Sequence, residues 1–240
     1  MHAIRIEGLT KRYKDVVAVD NLTLSIDEGE LFSLLGVNGA GKTTTIKILS
    51  CITETTDGYA YLLGNSIRSD VDKVKSVIAV SPQETAVAPA LTVRENLELI
   101  CGIHSFSKEK QEVKINELSQ MLSLSEVMNK RAGKLSGGFA RRLSIAMALI
   151  SEPKILFLDE PTLGLDVIAR SELWEVIKSL KGKVTIILTT HYMEEAEELS
   201  DRIGIMKNGK LLICDTPNAI KAQTNENSIE KAFIKVVKEA

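Results

Sequence analysis

The stretch "GVNGAGKT", Gly36 to Thr43, fits the pattern G-x-x-x-x-G-K-S/T. Its glycines, Gly36, Gly39 and Gly41, let backbone N–H groups turn inward around phosphate oxygens, and Lys42 adds a full positive charge. A helix beginning near Lys42 brings its positive dipole end to the same place. Thr43 would set its hydroxyl on Mg²⁺, while Val37, Asn38, Ala40 and Thr44 complete the loop that cradles a nucleotide such as ATP. In a chain of this length the pattern arises by chance roughly once in a hundred sequences.

A second half is expected for such a site, and "ILFLDE", Ile155 to Glu160, supplies it. Four apolar residues make a buried strand, with Asp159 at its end able to hold Mg²⁺ through water. Glu160, one step further, faces the γ-phosphate side and is the candidate general base for an attacking water. A third stretch, "KLSGGFARRL" from Lys134 to Leu143, has the serine, paired glycines and helical pattern of an anion-binding helix start, but no lysine or metal ligand that would complete a phosphate site.

These pieces need a scaffold. Alternation in "AIRIEGL" and "NLTLSI", followed by "ELFSLLG", predicts early strands, the last buried and ending at Gly36. Helical spacing resumes from Thr43 to Ser50, giving strand, glycine loop, helix. "DGYAYLLG" reads as a further strand pair, and Thr92 to about Ile150 is mostly helical, with "TVRENLELI" and "NELSQMLSL" amphipathic. "KILFLDEP" and "KVTIILTTH" have the short apolar runs of buried parallel strands, joined by a crossover helix in "ARSELWEVIKSL". Asn208-Gly209 suits a type I′ turn in the hairpin "RIGIMKNGKLLIC", and "SIEKAFIKVVKEA" reads as one terminal amphipathic helix.

Composition narrows the function classes. A net charge of −2 and mixed-sign charges argue against a nucleic-acid surface. Cys51, Cys101 and Cys214 lie far apart, as do His2, His104 and His191, so neither a disulfide framework nor structural zinc is expected, and a reducing, cytosolic setting fits. With no apolar run long enough to span a bilayer and no leader-like start, direct membrane insertion is not expected.

Phosphate loop, "LSGG", "ILFLDEP", "LGLD" and "TTH" occur in that order, and from about Ile4 to about Leu212 the chain resembles the ATP-binding subunits of ABC transporters. The resemblance implies an α/β fold: a P-loop NTPase core with a mostly parallel sheet, an N-terminal antiparallel β subdomain and an inserted α-helical lobe. All of residues 1–240 would form one ATP-binding domain, with the lobe at about 90–150 and a C-terminal tail at about 216–240.

It also implies roles. Tyr13 matches the aromatic residue that stacks on adenine, and Gln83 the glutamine that touches Mg²⁺ and couples the site to a membrane-spanning partner. Asp166, in "LGLD", matches an aspartate that reaches across the interface between two heads. His191 matches the histidine that bonds the γ-phosphate and orients Glu160 and the water, with Lys42 as the third catalytic group. Ser136, Gly137 and Gly138 match the segment that closes over ATP held by a second ATP-binding subunit, identical or different, so the missing lysine lies on the other chain. Phe139 departs from the usual glutamine, which puts any amide contact at that position in doubt.

The implied protein is an ATPase, peripheral on the cytoplasmic face of the cell membrane, that dimerises around two ATP and powers a transporter. "SPQETAVAPALTVRENL" and "TTHYMEEAEELSDRI" look most like exporter subunits for drugs, antibiotics, lipids or ions. Two rivals stand beside it. A soluble relative acting on ribosomes or DNA usually carries tandem heads or a long coiled-coil insertion, and a non-hydrolysing regulatory module would not need Glu160, His191, Ser136 and Lys42 together.

Overall fold

The structure, a computed structural model, describes residues 2–239. Strands β1 (His2–Tyr13) and β2 (Val16–Asp27) form a hairpin whose alternating residues are buried, as half-exposed strands require. With β4 (Asp57–Leu62) and β5 (Asn65–Ser66) they make a four-stranded sheet of order β2-β1-β4-β5, antiparallel throughout. "DGYAYLLG" is thus not a strand pair. Leu63 and Gly64 both take positive φ and form a turn, so the segment supplies one strand, which pairs chiefly with β1.

A six-stranded sheet carries the rest, in the order β10-β9-β3-β8-β7-β6. Its central strands β3 (Leu31–Leu35), β7 (Ile155–Asp159) and β8 (Thr185–Thr190) are buried at every position. That is why their sequences are continuous apolar runs instead of alternating ones. β6 (Ile78–Ser81) and β9 (Arg202–Lys207) extend the parallel array, and β10 (Lys210–Asp215) closes it antiparallel to β9. Asn208 and Gly209, with φ of 48° and 80°, make the expected hairpin turn.

Side chains of the central strands divide between two cores with period 2. Leu156, Leu158, Ile186 and Leu188 pack against helices on one face, whereas Ile155, Phe157, Ile187 and Phe32 meet the antiparallel sheet on the other. The helical layer comprises α3 (Val93–Ile103), α4 (Lys108–Met121), α5 (Gly137–Leu149) and the crossover helix α6 (Val167–Leu180). Thr92 and Glu95 form a capping box that starts α3, and the Asp166 carboxylate caps α6 by accepting the Ala169 N–H at 2.9 Å.

A smaller apolar cluster joins α8 (Pro217–Thr224) and α9 (Ile229–Glu239) to β9 and to α7 (Met193–Leu199). Helix α1 (Lys42–Leu49) follows the glycine loop, and α2 (Val71–Val77) leads into β6. The elements α2, β6, α7 and α8 leave no clear periodic mark in the sequence, since each is short. Among the described residues no helix is long and apolar enough to cross a membrane.

Candidate functional site

Parallel pairing aligns the C-terminal ends of the three central strands. Leu35 lies opposite Thr190, and Asp159 opposite Thr189, so the loops after β3, β7 and β8 emerge at one edge. Open parallel sheets bind ligands at that edge. The glycine loop, Glu160 and His191 are brought together there, and the Gly36 N–H donates to the Thr190 carbonyl at 3.2 Å.

The loop needs its glycines for different reasons. Gly41 has φ of 105°, and a Cβ there would fall 2.4 Å from the Ala18 carbonyl oxygen. At Gly36 a Cβ would meet the Met206 carbonyl at 2.6 Å. Asn38 through Thr44 then line a cavity of about 550 Å³ with Val16, Val17, Ala18, Gln83, Glu160, Leu163 and His191.

Lys42 is 5% exposed. Its ammonium donates to the carbonyls of Gly36 at 2.7 Å and Val37 at 3.4 Å, and lies 3.1 Å from Glu160 Oε1. The other carboxylate oxygen, Oε2, sits 2.7 Å from His191 Nδ1. Both oxygens of a buried carboxylate are therefore held, one by a cation and one by an imidazole N–H, and the bond fixes the histidine tautomer that donates from Nδ1. Glu160 itself has φ of 49°, a left-handed backbone that a non-glycine residue adopts at a cost of about 1–3 kcal/mol and keeps only when its surroundings hold it. Its N–H donates to the Thr189 carbonyl at 3.1 Å and hydroxyl at 3.0 Å.

Thr43 donates its hydroxyl to Asp159 Oδ1 at 3.1 Å, and Thr189 donates to the same oxygen. Among the described residues no group of three His, Cys, Asp or Glu side chains could hold a metal by itself. One carboxylate, one hydroxyl and a nearby amide, all hard oxygen donors, instead suit Mg²⁺, which keeps several waters and leans on substrate phosphates.

The other anticipated residues stand apart. Tyr13, at the end of β1, is 44% exposed with the Lys11 ammonium 4.9 Å from its ring centroid; the hairpin residues Val16 to Ala18 wall the cavity in its place. Ser136 is exposed and begins α5, yet its side chain makes no capping bond. No residue from Leu135 to Gly138 lines the cavity. Gly138 is closed in, since a Cβ there would sit 3.1 Å from the Ala169 Cβ, and one at Gly137 would sit 3.3 Å from Leu165. The paired glycines thus let the start of α5 seat against the "LGLD" loop and α6. Phe139 points into the helical core, half-buried, with the Arg142 guanidinium 5.3 Å from its ring, and Arg142 in turn pairs with Glu172 of α6.

Three contributors were not legible beforehand. Thr189 anchors both Asp159 and Glu160, and the polar end of "TIILTT" was its only signal. Arg141, 4% exposed, donates to the backbone carbonyls of Pro82, at 2.6 Å, and Gln83, tying α5 to the glutamine loop. Burial pulls its pKa down, opposed by the charges of Asp159 and Glu195. Glu195, fully buried on α7, is the third.

Residues 19–163 match the ABC transporter family. The chain is 37% identical to the daunorubicin resistance ATP-binding protein DrrA2 of Streptomyces coeruleorubidus, covering 95% of this chain and 71% of that protein. It is also 37% identical to the probable multidrug ABC transporter ATP-binding protein YbhF of Escherichia coli (strain K12), over 98% of this chain but only 41% of the relative. Among solved structures, an ATP-binding subunit of an ABC transporter superposes with a TM-score of 0.86 at 26% identity, covering 98% of this chain and 99% of that one. The dimeric cassette MJ0796 bound to ADP and Pi, in a post-hydrolysis state, gives 0.79 at 29% identity, over 89% and 98% of the two chains.

Proposed function

The chain belongs to the ABC transporter family, and on that premise we propose that it is the ATP-hydrolysing subunit of a membrane transporter, acting as one of two heads that close around two ATP molecules. The observation that carries this reading is Glu160, held between Lys42 and His191 in the wall of the glycine-loop cavity.

In this reading the N–H groups of Asn38 to Thr44 and the N-terminal end of α1 receive the phosphates. A phosphate entering the loop competes with Glu160 for the Lys42 ammonium. That exchange turns Lys42 toward the transferring phosphoryl group, whose developing charge it neutralises, and leaves the carboxylate facing water. Glu160 accepts the water's proton, and His191 holds the carboxylate in line. Thr43, Gln83 and, through water, Asp159 would hold Mg²⁺, which when bound neutralises charge across the β- and γ-phosphate oxygens.

Ser136, Gly137 and Gly138 complete the site of a second copy or a related head. The exposure of Ser136 and Gly137, the unused Ser136 hydroxyl and the absence of all three residues from the lining of the chain's own cavity support a role in trans. Tyr13 serves as the adenine platform and Asp166 faces the second head. The relatives named for daunorubicin resistance and multidrug transport support an exporter, with the head peripheral on the cytoplasmic face and coupled through the Gln83 loop to a membrane-spanning partner.

Glu160→Gln tests the core of this reading. ATP binding should persist and the closed pair accumulate, while turnover falls about a hundredfold or more. Near-normal turnover would remove Glu160 from the role of base. Purification from membranes with identification of the co-eluting membrane-spanning chain tests the transporter assignment.

A further inference from the structure

A second buried carboxyl, on α7, lies close enough to Glu160 to feel its charge. Glu195 stands in the first turns of α7 and is 0% exposed. Its Oε1 accepts the indole N–H of Trp174, from α6, at 3.1 Å. The hydroxyls of Thr162 and Thr190, themselves buried, lie beside the carboxyl. Oε2 and the Thr162 hydroxyl are both buried without a partner at full hydrogen-bonding geometry.

The neighbours are informative. Thr162 is two residues past Glu160 and leads into "LGLD"; Thr190 immediately precedes His191; Trp174 belongs to the helix that Asp166 caps. Thr190 Oγ1 already accepts the Tyr192 N–H at 2.9 Å, so its own proton is left to reach the carboxyl. Glu160 needs outside support for its left-handed backbone, and the segment just after it is the one that Glu195 abuts.

We propose that Glu195 is a positioning residue for hydrolysis, a single buried carboxyl that ties the turn after Glu160, the residue before His191 and helix α6 into one rigid frame. The inference rests on the ATPase reading above. Glu195 touches no reacting atom in that reading; it acts through the segments that carry Glu160 and His191. Burial pushes its pKa up, aided by the nearby Glu160 charge, while the neighbouring Thr190 and Thr162 hydroxyls and the Trp174 N–H pull it the other way. The Thr162 hydroxyl, which has no other partner, is the group placed to donate to Oε2 across that frame.

Three variants test it by steady-state ATP hydrolysis, alongside melting temperatures: Glu195→Ala, Glu195→Gln and Trp174→Phe. Glu195→Ala should lower kcat about tenfold or more, with KM for ATP within about twofold because the Lys42 loop is untouched. Glu195→Gln should recover most of that loss, since its side-chain carbonyl can still accept from Trp174 and its amide N–H can donate to the threonine hydroxyl oxygens. If Glu195→Ala fails to fold, Trp174→Phe, which leaves the carboxyl in place, should still lower kcat severalfold at constant KM. Unchanged kcat in Glu195→Ala, or in Trp174→Phe where that variant decides, would overturn the inference. So would KM and kcat moving together, or Glu195→Gln as impaired as Glu195→Ala. A wild-type protein that hydrolyses no ATP would bring down the ATPase reading itself, and with it this inference.

Discussion

Replacing His191 by alanine isolates one bond of the site. The imidazole holds Glu160 Oε2 at 2.7 Å, in a carboxyl side chain only 7% exposed, while Lys42 holds the other oxygen at 3.1 Å. A buried hydrogen bond to a charged group is worth about 1.5–3 kcal/mol. If that stabilisation is what keeps the carboxylate in line with the water, then at about 1.4 kcal/mol per tenfold in rate kcat should fall between about tenfold and a hundredfold. ATP affinity should move little, because the glycine loop and Lys42 are unaltered. His191 acts through Glu160, so the double variant His191→Ala/Glu160→Gln should be no slower than Glu160→Gln alone, a non-additivity expected of groups working as one unit. Steady-state phosphate release at saturating ATP gives kcat, nucleotide titration gives affinity, and melting curves exclude a folding defect. Turnover of His191→Ala within twofold of wild type, or additive losses in the double variant, would refute the coupling.

Three further outcomes follow from the loop and from the segment outside it. Lys42→Ala should weaken nucleotide binding itself, and mixing a Lys42 variant with a Ser136 variant should restore one composite site out of two. ATPase that does not recover in stably paired heads would confine the site to one chain. Gly41→Ala should cost more than Gly39→Ala in melting temperature and nucleotide affinity: both carry left-handed strain of about 1–3 kcal/mol, but only the Cβ at Gly41 strikes a carbonyl, at 2.4 Å, whereas nothing lies within 4 Å at Gly39. Equal losses at the two positions would show that the close approach to Ala18 is not limiting.

Much of the scaffold could be read in advance because its signals are local. The buried strands β3, β7 and β8 announce themselves as apolar runs, and the Asn208-Gly209 turn by residues that tolerate positive φ. "DGYAYLLG" misled because it ends in the Leu63-Gly64 turn, and the partner strand beyond it has only two residues, too short for any alternation to register. β6 and α7 escaped notice for a related reason. β6 is a short edge strand, half-buried at three of its four positions, and α7 is largely acidic on its outward side, so neither shows a strong apolar period.

By itself the sequence determined the chemistry that contiguous backbone can supply. "GVNGAGKT" makes a phosphate cradle from its own N–H groups, and "ILFLDE" puts an acid at the end of a buried strand, wherever the rest of the chain goes. Only the tertiary structure decided which distant side chains meet. Parallel pairing in the order β3-β8-β7 sets Leu35, Asp159 and Thr190 at one edge, and that alignment divides the two oxygens of Glu160 between Lys42 and His191. It also turned Phe139 into the helical core, left the Ser136 hydroxyl unused at the surface, and gathered Thr162, Trp174 and Thr190 around Glu195. Register and strand order are properties of the whole sheet, fixed by burying both of its faces at once, so no local stretch records them.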